Sequence, residues 1–226
     1  MGIDYLIMIK INNDITQRVV VDSSNLPWVD SNVSCMQSKM LEHRADEFAR
    51  TTSIVRYEAN ADLGSHIYPS GQELLVLEGD YEDEEGIYGA GTYIKNPPES
   101  SYTIRSKSGC TLFVKNNYLP SDDNQRTILE TQSVQWFQGL VRGLTVLPLA
   151  EFGTKHTALV RWAPKTRFNP HRHYGGEEIL VMEGVFEDEF GKYPAGTWIR
   201  SPHMSGHHPF SIQGCLILVM TGHLLD

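Results

Sequence analysis

The sequence predicts an all-β protein in which one β unit is used twice in tandem. Three observations predict it: a long ungapped internal repeat, short β-rich runs punctuated by Gly- and Pro-bearing turns, and no long stretch of helical period. The repeat is plainest where Glu78-Gly79-Asp80-Tyr81-Glu82-Asp83-Glu84-Glu85-Gly86 returns 105 positions later as Glu183-Gly184-Val185-Phe186-Glu187-Asp188-Glu189-Phe190-Gly191. At the same shift Ala90-Gly91-Thr92-Tyr93-Ile94 matches Ala195-Gly196-Thr197-Trp198-Ile199, Pro97 matches Pro202, and Cys110 matches Cys215. Upstream, Val55-Arg56-Tyr57 matches Val160-Arg161-Trp162, so one register holds from about residue 53 to 119.

Each copy reads as strands. In the first, Glu73 to Leu77, Thr92 to Lys95, Tyr102 to Arg105 and Thr111 to Lys115 are the β-rich runs. In the second they are Ile179 to Met182, Thr197 to Arg200, Phe210 to Ile212 and Leu216 to Met220. Many short strands between turns point to a sandwich, jelly roll or barrel. The join falls near Pro120 to Gln125, whose Pro-Ser-Asp-Asp-Asn composition suits an exposed connection. The apolar run Tyr5 to Ile11, interrupted by Lys10, is read as a strand. The expected organisation is a strand extension over residues 1–17, a first unit over 18–120 and a second over 121–226.

Composition narrows the function. With 40% apolar and 21% charged residues the chain is an ordinary globular protein, and its net charge of −9 argues against a nucleic-acid partner, which needs clustered Lys and Arg. The N-terminal run is too short to cross a bilayer and has neither the basic start nor the cleavage site of a signal peptide, so no membrane association and a cytoplasmic location are expected. Cys35, Cys110 and Cys215 form no C-x-x-C pair and are expected to be small buried hydrophobes.

The chemistry concentrates in the second copy. His171-Arg172-His173-Tyr174-Gly175-Gly176-Glu177-Glu178 precedes a strand, and alternate side chains of an extended chain face one way, so His171 and His173 point together. Imidazoles with a carboxylate make a ligand set that Zn, Fe, Mn, Ni or Cu accepts. The pattern resembles the cupin motifs, G-x5-H-x-H-x3-4-E-x6-G and G-x5-P-x-G-x2-H-x3-N: His171, His173, Glu177 and Gly184 fit the first, and Gly196, Pro202 and His207 the second. Lys165, Met204 and Ser211 stand where the motifs have Gly, Gly and Asn; none is a ligand position, so the departures bear on loop conformation. The resemblance implies two tandem cupin barrels of the double-stranded β-helix or jelly-roll type, with one divalent metal ion, zinc foremost and Fe, Mn or Ni as alternatives, held by His171, His173, Glu177 and His207.

The first copy is an internal control. Its residues at the four ligand positions are His66, Tyr68, Gln72 and Tyr102, so three of four ligands are missing and a degenerate barrel is expected there. Glu178 matches Glu73 of that copy and is read as structural or solvent-facing; His207 is preferred to His208, which matches Thr103. His203 is read as an exposed loop residue, and His156 and His223 as structural or surface residues. Trp162 and Trp198 face aromatic counterparts Tyr57 and Tyr93 and are assigned to the core, which leaves Phe168 and Tyr174 as candidates to line a pocket. Arg161 and its counterpart Arg56 are read as ion-pair residues.

Among cupins, the run from Gly175 to Glu189 followed by Tyr193-Pro194-Ala195-Gly196-Thr197 resembles the cupin of the ChrR anti-sigma-factor family, over both halves of the chain. That resemblance implies a sensor or regulatory protein that responds to a small molecule or oxidant in the C-terminal barrel and reports to a protein partner. The family's helical sigma-binding domain carries His and Cys zinc ligands, whereas residues 1–50 hold only Cys35 and His43, so direct sigma-factor inhibition is not expected. The alternative, also from resemblance, is an Fe(II)-dependent cupin dioxygenase acting on a diketone or hydroxylated acetophenone. No acid, base or nucleophile beyond the ligands is identifiable. Cupin strand edges are often covered by dimerisation, so a homodimer is a further expectation.

Overall fold

The computed structural model describes residues 9–45 and 49–225, and among them every regular element is a strand except the 3-10 turn Ser23–Asn25. The expected strand Tyr5 to Ile11 lies mostly outside the described residues; Ile11 itself makes an isolated antiparallel bridge to His43. No helix of the described residues is long and apolar enough to cross a membrane. The fold is all-β, two jelly-roll units in tandem.

Each unit is built on a 10-stranded sheet with the same strand order. In one, Thr127–Glu130, Thr92–Asn96, Gln72–Asp83, Cys110–Asn116, Thr51–Tyr57, Met36–His43 and Val29–Asp30 are hydrogen-bonded in that order. In the other the order is Val19–Asp22, Thr197–Ser201, Glu177–Asp188, Cys215–Thr221, Lys155–Trp162, Leu144–Phe152 and Phe137–Gln138. The compact units are residues 1–13 with 27–134, and 14–26 with 135–226. Each therefore takes its edge strand from outside its own linear half: Val19–Asp22 pairs with Thr197–Ser201, and Thr127–Glu130 with Thr92–Asn96.

The long central strands show why the repeat is recognisable. Gln72–Asp83 and Glu177–Asp188 begin with five buried residues, then expose the Glu-Gly pair, because the strand bulges there. Ladder register slips between Val181 and Glu183, and in the other unit between Thr111 and Leu112 on the partner strand. Gly184 follows the bulge at φ +70°, where a Cβ would stand 2.1 Å from Gly214 O; Gly79 at φ +76° would meet Gly109 O at 1.9 Å. Only glycine tolerates both that dihedral and that approach.

The glycine departures keep the glycine conformation. Lys165 and Met204 adopt φ of 66° and 60°, and their counterparts Asn60 and Glu99 both adopt 62°. A left-handed conformation costs a non-glycine residue roughly 1–2 kcal/mol, so these loops keep their shape at the expense of some stability.

The cores are separate. Val55, Tyr57, Leu74, Val76, Tyr81, Ile94 and Leu112 pack in one unit; Leu144, Trp162, Ile179, Val181, Phe186, Ile199 and Ile217 pack in the other. Trp198 is fully buried and Trp162 nearly so, in keeping with their assignment to the core. Cys110 and Cys215 are buried, but Cys35 is exposed, which corrects the expectation for that residue: it sits at φ 65° in a turn just before Met36–His43 rather than within a strand. Arg161 lies 3.3 Å from Glu183, while Arg56 stacks over the Trp28 ring at 4.0 Å.

Candidate metal centre

Three short pieces of backbone bring the histidines together. His171–Arg172 pairs antiparallel with Gly206–His207, and the register sets His171 opposite His207. His173 follows two residues on, and the Tyr174-Gly175-Gly176 turn then reverses the chain into Glu177, the first residue of the long strand. Both glycines of that turn have φ +72°, and a Cβ on Gly175 would lie 2.6 Å from Gly222 Cα. The loop can close on the strand Cys215–Thr221 only because no side chain is there.

The donor atoms converge. One ligand atom from each of His171, His173 and His207 lies within 4.8 Å of the others. His173 Nε2 and His207 Nε2 are 3.1 Å apart, Glu177 Oε1 is 3.4 Å from His173 Nε2, and Glu177 Oε2 is 3.6 Å from His207 Nε2. Two donors at right angles on an ion about 2.1 Å away stand about 3 Å apart, so these separations suit cis positions on one ion. Glu177 is buried, and its Oε2 has no hydrogen-bond partner, an orphaned carboxylate oxygen that a cation would satisfy.

Electrostatics point the same way. Burial pushes the His173 pKa down to about 3, with the neighbouring His171 and His207 adding to the effect, and burial also lowers His171. Burial pushes the Glu177 carboxyl up to about 7, against the pull of His207. Burial likewise works against a charged His207, but the Asp188 carboxylate beside it and the field of Glu177 hold its pKa above the ordinary value. A set of mostly neutral imidazoles around one buried carboxyl is a set that could hold an external cation.

The supporting contacts fix tautomers. His171 Nδ1 is 2.9 Å from the Asn169 carbonyl, which places its proton there and turns Nε2 toward the cluster. His207 Nδ1 faces Asp188 Oδ2 at 3.6 Å. Asp188 is itself held by Tyr193 Oη at 2.7 Å, by the Phe190 and Gly191 amides and by Arg18 at 3.1 Å. Burial alone would raise Asp188, yet the neighbouring His207 imidazole and the hydrogen bonds from Tyr193 and the Phe190 amide hold it below its ordinary pKa. Sequence reasoning missed Arg18 and Asp188. Asp188 has a twin, Asp83, in the copy without the ligands, so the subtraction that picked out Glu177 could not see it.

The other sequence candidates fall into place. Glu178 turns away to a buried pair with His223 at 3.1 Å, which makes both structural. His203 is exposed, and its Nδ1 accepts from the Gly175 amide at 2.8 Å. His208 lies outside the cluster, its backbone amide bonded to Glu189. Phe168 packs edge-on against His171 with ring centroids 4.9 Å apart and lines the cavity beside the cluster. Tyr174 does not: it is 61% exposed and packs on His203, a correction that follows from its place at the tip of the turn.

That cavity, of about 230 Å³, is lined by the three histidines, Glu177 and a mostly apolar wall including Leu144, Val160, Trp162, Phe186 and Val219. Thr221 adds a hydroxyl, and no Lys, Arg or Asp is part of the lining. In the other unit the corresponding positions carry His66, Tyr68, Gln72 and Tyr102; Arg126 stacks over the Tyr102 ring at 3.8 Å and pairs with Asp83.

The family model of the ChrR cupin-like domain matches the chain twice, over residues 16–120 and 124–225. Among solved structures, a provisionally assigned dioxygenase of Nostoc punctiforme superposes with a TM-score of 0.77 at 13% identity, covering 93% of this chain and 85% of its own. A provisionally assigned glyoxylate-induced protein of Pseudomonas aeruginosa gives 0.75 at 14%, covering 94% and 91%. Oxalate decarboxylase of Bacillus subtilis gives 0.62 at 12%, covering 96% and 78%. No curated protein sequence matches the chain. At these identities the likenesses carry the fold.

Proposed function

The chain belongs to the ChrR cupin-like domain family, and from that premise we propose that its C-terminal unit holds one divalent metal ion through His171, His173, Glu177 and His207, binds a small organic molecule at that ion, and serves as a sensor or regulatory protein. One observation carries the reading: the three clustered histidines, with Glu177 beside His173 and His207, lie at an apolar cavity, so positions left open on an ion face room for a ligand. Zinc suits the sensing role, and the N3O donor set also accepts iron, manganese or nickel. When bound, the ion supplies Lewis-acid polarisation of a ligand oxygen. This chain's own residues do the rest: Asp188 orients His207, Asn169 orients His171, and the apolar wall selects the ligand's body and excludes water.

A second reading, an iron-dependent dioxygenase acting on a diketone or hydroxylated acetophenone, is favoured by the character of that wall. Without Lys or Arg in the lining no side chain adds to the ion's charge in holding a small dianion, whereas the apolar wall matches a molecule with an apolar body and two oxygen donors. The test is elemental analysis of the purified protein and the electronic spectrum of its Co(II) form, followed by oxygen uptake by the Fe(II) form with pentane-2,4-dione. One ion per chain and a spectrum that shifts with the diketone without oxygen consumption supports the sensor. Oxygen consumption moves the assignment to the enzyme, and a closed four-coordinate ion that ignores small molecules removes both.

A further inference from the structure

One side chain of the C-terminal cavity wall differs from the rest. Leu140 lines the cavity yet is 90% exposed, the highest value for a large apolar residue among the described ones. A lone exposed leucine is ordinary on a protein surface, but the backbone of this one is fixed. Its loop, residues 139–143, joins the edge strand Phe137–Gln138 to Leu144–Phe152. The Gly139 amide donates to the Leu144 carbonyl at 2.9 Å, the Leu144 amide to the Val141 carbonyl at 3.2 Å and the Ala163 amide to the Gly143 carbonyl at 2.8 Å. Gly143 has φ +95°, and a Cβ there would stand 2.2 Å from Thr166 Oγ1, so the loop closes on Thr166 only with glycine at that point.

The same loop recurs in the N-terminal unit, at a shift of 108 rather than 105 residues. Trp28-Val29 answers to Trp136-Phe137 and Met36 to Leu144, and the Ser31 amide donates to the Met36 carbonyl at 3.0 Å as Gly139 does to Leu144. Cys35, at φ 65°, takes the left-handed place of Gly143. Leu140 thus stands where that unit has Asn32. The N-terminal unit retains a cavity of about 250 Å³ to which Ser31 and Val33 contribute, and Asn32 is not part of its lining. The loop is scaffold in both units; an apolar side chain at this place occurs only beside the candidate ligands.

Strand register sets Leu140 apart from Glu177. Glu177 pairs with Thr221, at one end of the strand Cys215–Thr221. Leu144, at the root of the loop, pairs with Trp162, which pairs with Cys215 at the other end. Both Thr221 and Leu144 line the cavity, so it extends along the strand from the candidate ligands toward the loop. A molecule only large enough to hold an ion with two oxygens stops short of Leu140, and one with a longer apolar body reaches it.

Resting on the reading that a small molecule binds at the ion, we propose that Leu140 is a specificity-determining residue that covers the end of the ligand remote from the ion and selects an extended apolar chain over a compact one. Burial of its side chain against that chain supplies the added affinity. A compact dicarbonyl gains nothing from it.

The probes are 2,4-diones of increasing length, from pentane-2,4-dione through heptane- and nonane-2,4-dione to undecane-2,4-dione, titrated into the Co(II) form and followed by its electronic spectrum. With the wild-type chain, affinity is expected to rise with length, nonane-2,4-dione binding at least about tenfold more tightly than pentane-2,4-dione, since burying half of its extra methylenes is worth that much. Leu140→Asn, which installs the residue of the N-terminal loop, should weaken the longest dione by about tenfold and pentane-2,4-dione by less than about twofold. Leu140→Met should restore the preference, and metal content and melting temperature check that each variant is folded. If no dione shifts the wild-type spectrum, the small-molecule reading itself falls. If the diones bind but length brings no gain, or Leu140→Asn weakens all of them equally or none, only the role of Leu140 is overturned. It is overturned as well if Leu140→Asn turns a dimer into a monomer by sedimentation, because a second copy then covers the leucine.

Discussion

The two units are the same scaffold with opposite interiors, and the contrast separates what a jelly roll needs from what a metal needs. Both retain the bulge glycine, the left-handed loop residues, and an aspartate held by a tyrosine and an arginine. Asp188 takes Tyr193 and Arg18; Asp83 takes Tyr88 at 3.0 Å and Arg126. What differs is the residue beside that aspartate. In one unit it is His207, whose far nitrogen joins the cluster; in the other Tyr102 lies under the Arg126 guanidinium. The aspartate–arginine–tyrosine group is thus scaffold, and only where a histidine faces it does it also orient a candidate ligand.

The sharpest way to break this comparison is to remove a ligand. His171→Ala or His207→Ala should take the metal content from one ion per chain to background, whereas His66→Ala should leave it unchanged; equal loss in all three, by elemental analysis, would overturn the asymmetry. The complementary experiment transplants the ligands. Tyr68→His, Gln72→Glu and Tyr102→His together, with His66 already present, should raise the content to two ions per chain, and a value that stays at one would mean that Arg126 or the backbone forbids the site.

Smaller effects sharpen the roles. Asp188→Asn should weaken metal affinity by about 10–100-fold, as loss of an orienting partner does, while Asp83→Asn should lower the melting temperature and leave affinity alone. Metal binding should weaken as pH falls from 8 to 6. The ligands bind deprotonated, and the metal-free Glu177 carboxyl titrates at about 7, so protons compete with the ion by about tenfold per pH unit for each proton displaced. A pH-independent affinity would place the carboxylate outside the coordination sphere. The smallest effect concerns the shared loops: Met204→Gly and Glu99→Gly should each stabilise by up to about 1 kcal/mol by releasing left-handed strain, read as a rise in melting temperature.

By itself the sequence determined the duplication, the strand pattern and the candidate ligands, because these depend on local geometry. A period of two puts His171 and His173 on one face, and a bulge or left-handed turn leaves its mark at a fixed position in each copy. Subtracting one copy from the other then separated Glu177 from Glu178, and the spacing of the second cupin motif chose His207. The tertiary structure alone decided which segments complete each unit, since the pairing of Val19–Asp22 with Thr197–Ser201 and the contact of Arg18 with Asp188 join residues 170 to 181 apart in sequence. It also decided that both interiors keep a cavity and that Tyr174 stays out of it, because empty space is a property of how side chains from many strands fail to meet, and no single stretch of chain encodes that.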